Sequence, residues 1–152
     1  GMDKSIVQAF HAEEIIQKEG ETYEEMYKIL SGSVALYNRY GEKDEFLIGI
    51  YSKSKCFGEL GILSGQPSIY TAVAYDEVLA MRITRDSLEE FVRNNPKNAI
   101  DIMQNMTHTV KVMQKNINLL LDDIYEKQNL NKLRTEDIKR KIMQYSISGL
   151  HI

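Results

Sequence analysis

The chain has 152 residues, 43% apolar and 27% charged, with a formal net charge of −3, which suits one domain plus a short appendage. That charge argues against a broadly basic nucleic-acid-binding surface, and no apolar run approaches the ~20 residues that span a bilayer. The single cysteine, Cys56, excludes an internal disulfide and an iron–sulfur centre held by several thiolates, and fits a cytoplasmic protein.

Gly1-Met2 reads as a tag-removal scar, with no signal peptide behind it. Residues 9 to 85 then read as short strands separated by turns. Met26, Lys28 and Leu30 sit among β-formers, Ser31-Gly32 breaks the run, and Val34-Ala35-Leu36-Tyr37 continues it. Asn38 to Asp44, with Gly41, makes a polar hairpin loop before Phe46 to Tyr51. Thr71 to Ala74 and Val78 to Ile83 are two more strands; in the second, Leu79, Met81 and Ile83 share one face, and Ala80 and Arg82 the other. Many short strands at regular spacing indicate a roll or barrel. Thr84 or Asp86 starts a helix through Arg93, which Asn94-Asn95-Pro96 ends.

From Lys97 the period becomes helical for over thirty residues. Met103, Val110, Ile117 and Ile124 recur every seven, and Met106, Met113 and Leu120 follow three behind. This spacing is that of a coiled-coil seam and predicts a homodimer, the alternative being a helix lying on its own β-domain. Seven such residues at ~1.5–3 kcal/mol each give roughly 10–20 kcal/mol gross. Association costs of ~4–15 kcal/mol leave a surplus. Asn129 and Asn131 loosen the helix, and Thr135 with Glu136-Asp137 reads as the start of a last helix. Ile138, Ile142, Met143 and Tyr145 give that helix an apolar stripe, and Gly149 stops it. The parts are therefore a β-roll over 5–95, a long helix over 96–131 and a short helical segment over 132–152.

The densest information lies between them, in Cys56 to Ala74. Phe57-Gly58-Glu59-Leu60-Gly61 sets two glycines and a carboxylate before a short apolar turn. Glycines let backbone N–H groups approach an anion closely, whereas Glu59 repels a phosphate and suits a sugar hydroxyl. The bland alternative is a β-roll corner in which the glycines serve a tight turn. The segment resembles the phosphate-binding cassette of cyclic-nucleotide-binding domains in the Crp/Fnr regulator family, which reads FGEL and later Pro-Arg-Ala-Ala-Thr or a close variant. Lys18-Glu19-Gly20-Glu21, Ile29 to Val34 and Phe91 to Pro96 resemble further family motifs in the right order. The resemblance covers roughly residues 10 to 131.

It implies a mainly β fold with α: a double-stranded, jelly-roll-like β-helix followed by a long dimerisation helix. It implies a ligand site formed by Phe57, Gly58, Glu59, Leu60, Ser68, Ile69, Tyr70 and Thr71, with Met113 and Gln114 reaching the base. The ligand would be a cyclic nucleotide or another small anion. One departure matters: the family's phosphate-neutralising arginine falls on Ser68. A hydroxyl offers neither charge nor bidentate fork, and losing one partner of a buried charge pair costs ~2–5 kcal/mol. Tight cAMP binding is therefore not expected, and a ligand-free dimerisation or protein-interaction module is the rival reading. Restoring arginine at position 68 is expected to restore phosphate binding, provided the Gly58 and Gly61 amides have the needed geometry. Tyr70 reads as core or pocket wall. Residues 132 to 146 resemble only the entry helix of the family's winged-helix domain, so no DNA binding by this chain alone is expected.

Other signals are weak. His11, His108 and His151 are scattered without metal-ligand spacing, and no nucleophile elbow or Walker loop occurs, so neither a metal site nor an enzyme is expected. Cys56 reads as a small core residue. The glycosylation sequon at Asn105-Met106-Thr107 reads as chance.

Overall fold

The computed structural model describes residues 6–128 and 135–149. Eight strands come in chain order: β1 (Ile6–Phe10), β2 (Ile15–Gln17), β3 (Glu25–Ser31), β4 (Val34–Asn38), β5 (Phe46–Tyr51), β6 (Cys56–Phe57), β7 (Thr71–Ala74) and β8 (Val78–Thr84). Helix α1 (Glu59–Ser64) interrupts them after β6, and α2 (Arg85–Asn94), α3 (Lys97–Gln128) and α4 (Thr135–Gly149) follow. The strands form two four-stranded antiparallel sheets, ordered β1-β8-β3-β6 and β2-β7-β4-β5. This is the β-roll with a trailing helix that the strand spacing and the resemblance predict.

Strands β4 and β7 lie at the centre of their sheet and are buried on both faces: Val34, Ala35 and Leu36 of β4 are buried and registered with the buried Ala74, Val73 and Ala72 of β7. Tyr27 of β3 stacks on Phe57 of β6 at 5.4 Å and meets Phe10 of β1 edge-on at 5.6 Å. One corner admits only glycine. Gly32 has φ 81°, and a Cβ there would lie 2.1 Å from the Glu77 carbonyl oxygen. The next amide, of Ser33, donates to Asp76 Oδ1 at 2.7 Å and closes the corner.

Strand β8 buries side chains on both of its faces. Val78 and Ala80 are buried on one face, while Ile83 and Met81, on the other, join a second core with Met26, Cys56, Ile62, Ile102, Leu88, Phe91 and Met106. Leu79 shares the face of Met81 and Ile83 but is exposed. Thr84 caps α2 through a capping box, accepting from the Ser87 N–H while Ser87 Oγ accepts from the Thr84 N–H.

The chain divides into two compact units, 1–112 and 113–152, with the division inside α3. In the first unit α3 turns an unexpected face to the roll. Asn98, Ile102, Asn105 and Thr109 are buried at a 4-3-4 spacing, three of the four being polar. Asn98 Nδ2 donates to the Phe91 carbonyl and its Oδ1 accepts from Lys28 Nζ, while Asn105 Nδ2 donates to the Cys56 carbonyl at 2.9 Å. Met103 and Val110 stay exposed, Val110 at 66%, whereas Met106 packs against the second core and so is tied to the roll as well as to the apolar repeat. In the second unit Ile117, Leu120 and Ile124 are exposed and Met113 is half-buried. The expected break at Asn129 and Asn131, and whatever precedes Thr135, lie outside the described residues. Ile138, Ile142, Met143 and Tyr145 of α4 are exposed. Among the described residues no helix is long and apolar enough to cross a membrane.

Candidate functional site

The cassette is built by one left-handed residue. Gly58, at φ 84°, turns the chain out of β6 and into α1. A Cβ on it would approach Gln17 Oε1 to 2.8 Å, so both conformation and space demand glycine. Gln17 is itself buried and held by its Nε2, which donates to the Glu25 carbonyl at 2.9 Å. The first side chain past the turn is Glu59. It is driven inwards, at 1% exposure, and its Oε2 has no hydrogen-bond partner among the described residues.

An ionised carboxylate in that position is costly. Burial pushes the Glu59 carboxyl up to about 7, opposed only by its own backbone N–H. Around it stand acids rather than bases. Cys56 is pushed up to about 12, and Tyr70 and Tyr51 are raised, each first by burial and each further by the nearby Glu59 charge. Tyr51 in turn reaches α3, its hydroxyl lying 3.5 Å from Thr109 Oγ1. A buried carboxyl with an orphaned oxygen needs a donor, and an uncharged hydroxyl supplies one without burying a second charge.

The far end of the cassette returns beside the first. Ser68 Oγ donates to the Tyr70 carbonyl at 2.7 Å, and the Ser68 N–H and C=O bond to the Glu21 carbonyl and the Gly20 N–H. The hydroxyl that replaces the family's arginine is thus engaged within its own turn. Tyr70 is 1% exposed, and its phenol oxygen accepts the Gly58 N–H.

Of the residues predicted for the site, Gly58, Glu59, Ser68 and Tyr70 come together around this turn. Phe57 lies in the aromatic stack, Thr71 accepts the Glu19 N–H at 3.0 Å, Leu60 is half-buried on α1 and Ile69 is exposed. Met113 and Gln114 belong to the second unit. Gln17 and Tyr51 were not legible as site residues, since nothing in the sequence separates them from ordinary strand positions.

Comparison with known proteins fits this geometry. Residues 7–95 match the cyclic nucleotide-binding domain family. A CRP-like cAMP-activated global transcriptional regulator of Mycobacterium tuberculosis is 28% identical over 107 residues, 70% of this chain and 48% of that protein. The chain thus spans about half the length of such curated relatives. The heme domain of CooA from Carboxydothermus hydrogenoformans superposes with a TM-score of 0.68 at 15% identity, over 81% of this chain and 85% of that one. Thermus thermophilus catabolite activator protein superposes with a TM-score of 0.62 at 18% identity, over 76% of this chain and 55% of that one. At those identities the two structures attest the fold alone.

Proposed function

The chain belongs to the cyclic nucleotide-binding domain family, and from that premise we propose that it is a ligand-sensing regulatory domain of Crp/Fnr type that signals through a dimer of α3. The observation that carries this reading is Glu59. Its buried oxygen, unpartnered among the described residues, stands to cost ~1–3 kcal/mol, which is what a carboxyl kept for a ligand hydroxyl would look like. The cassette is also coupled to the helices. Ile62 of α1 packs in one cluster with Leu88 and Phe91 of α2 and Ile102 and Met106 of α3. A ligand that draws α1 inwards would shift those contacts and bias how two α3 helices meet.

The dimer rests on the exposed apolar row Met103, Val110, Ile117, Leu120 and Ile124, which a second α3 packed in register would cover. The reading assigns no catalysis, no tight cAMP binding and a cytoplasmic setting. It also assigns no sequence-specific DNA affinity to this chain alone, given its net charge of −3. The test is sedimentation of wild type and the double variant Val110→Glu/Ile117→Glu, which sets like charges across the seam. Losing two buried apolar contacts at ~1.5–3 kcal/mol each should weaken the dimer by roughly a hundredfold or more. Unchanged affinity would place the interface elsewhere.

A specific observation favours the second reading, a module that dimerises without ligand. Ser68 and Tyr70 satisfy each other and Gly58 internally, so the cassette holds together unaided. A thermal-shift screen of nucleotides, nucleosides and small acids separates the two: stabilisation by any of them supports the sensor, and none supports the module.

A further inference from the structure

The loss of the arginine at position 68 leaves open what the cassette now accepts, and the geometry answers through a different residue. We propose that Tyr70 sets the ligand class: its phenol takes the Gly58 amide that an anion would need, so the cassette refuses phosphate esters and leaves the Glu59 carboxyl to an uncharged hydroxyl donor. The proposal rests on the ligand-sensing reading above.

Three observations carry it. The Gly58 N–H, at the left-handed turn where a backbone donor can meet an anion, donates to Tyr70 Oη. That phenol is held firmly, since Tyr70 is among the largest fully buried side chains and its backbone carbonyl accepts the Ser68 hydroxyl. Finally, the one buried side-chain atom of the cassette without a hydrogen-bond partner among the described residues is an acceptor, Glu59 Oε2, whose charge raises the phenols of Tyr51 and Tyr70 and the thiol of Cys56 further than burial alone does. An entering phosphate would meet a taken donor, an unneutralised carboxyl and a serine hydroxyl already engaged where the family has its arginine. A neutral ribose hydroxyl would meet the acceptor it requires. It follows that arginine at 68 alone does not rebuild a phosphate site, because the charge returns while the amide stays occupied.

The test uses the full chain and two probes, adenosine and cAMP, which share a ribose 2′-hydroxyl and differ in the phosphodiester. Titration calorimetry and ligand-observed NMR should show wild type binding adenosine at least ten times tighter than cAMP. Ser68→Arg should leave cAMP affinity within about threefold, and Ser68→Arg/Tyr70→Ala should raise it at least thirtyfold. Wild type preferring cAMP, or Ser68→Arg alone matching the double variant, overturns the assignment and spares the sensor reading. Failure of both probes with every variant overturns the assignment, and the sensor reading falls with it only if the thermal-shift screen also finds no stabilising ligand. Should Tyr70→Ala not fold, Tyr70→Phe keeps the ring and removes only the hydroxyl. Its Gly58 amide should then shift in the 15N spectrum and exchange faster than in wild type, and an unmoved Gly58 resonance overturns the proposal.

Discussion

The two faces of α3 depart from ordinary expectation: the inner one is mostly polar and the outer one apolar. Towards its own domain the helix presents Asn98, Asn105 and Thr109, all buried, beside Ile102 and the partly buried Met106, and outwards it presents Met103 and Val110, both exposed. A helix stabilised only by its own domain would put the apolar stripe inwards. Here the inner face is specified by hydrogen bonds to fixed points of the roll, the Cys56 carbonyl, the Lys28 ammonium and the Tyr51 hydroxyl, and to the Phe91 carbonyl of α2. Buried polar contacts of that kind dictate position and rotation more strictly than apolar packing does. Hydrophobic area is thereby left for another surface. The lesson is a division of labour: one face registers the helix on the domain, and the other is available to a partner.

Substitutions should separate the two roles. The largest effect on folding is expected at the apolar pivot beneath the inner face. Ile62→Ala opens a cavity against Ile102 and Met106 and should lower unfolding free energy by ~2–5 kcal/mol, as read by urea denaturation. If the loss is under ~1 kcal/mol, α1 is not anchored on α3 through that cluster.

Next comes Glu59, whose charge helps raise Tyr51, the residue whose hydroxyl lies against Thr109 of the inner face. Its folded carboxyl is raised from 4.5 to about 7, so the folded state holds a proton that the unfolded chain releases. Its contribution to stability is fully present below about pH 4.5 and is lost as pH rises through about 7. The size is on the order of 3 kcal/mol. Glu59→Gln should abolish this slope and be more stable than wild type at pH 8, with the difference vanishing near pH 4.5. Parallel pH profiles for the two proteins would mean that Glu59 is ionised without penalty.

A smaller effect is expected at Asn105. Asn105→Ala strands the buried Cys56 carbonyl and should cost ~1–3 kcal/mol while leaving dimer affinity within threefold. Val110→Glu should do the reverse, sparing monomer stability to within ~0.5 kcal/mol because the side chain is exposed.

The sequence disclosed the outer face and concealed the inner one. Repeats of seven in Met, Val and Ile announce themselves, whereas Asn98 and Thr109 carry no pattern of their own and Asn105 stood out only as part of the sequon. The buried Asn105, engaged with Cys56, also accounts for the sequon, since that amide is not available at the surface of the folded chain. Met106 was legible as a seam residue but not as a contact of the second core, because one helical position can border both faces. In the cassette, Gly58 and Glu59 were legible because turn and carboxylate chemistry is local. The arrest of the Gly58 amide by Tyr70 was not, since it joins residues twelve apart through a side-chain direction that only the closed roll determines. Alternation along β8 was legible, but its two buried faces were not, because the residues that pack on Met81 and Ile83 come from distant parts of the chain, Ile62 of α1, Leu88 and Phe91 of α2 and Ile102 and Met106 of α3.

The central claim, that the outer stripe of α3 meets its own counterpart, has a direct chemical test. The only native cysteine, Cys56, is buried and its thiol is pushed up to about 12, so an introduced thiol reports against a silent background. Val110→Cys should oxidise to a covalent dimer on exposure to mild oxidant, because seam residues of parallel helices face their own copies. Lys111→Cys, one residue on and away from the stripe, should remain monomeric on a non-reducing gel. Equal cross-linking of the two variants, or none at position 110, would contradict the account.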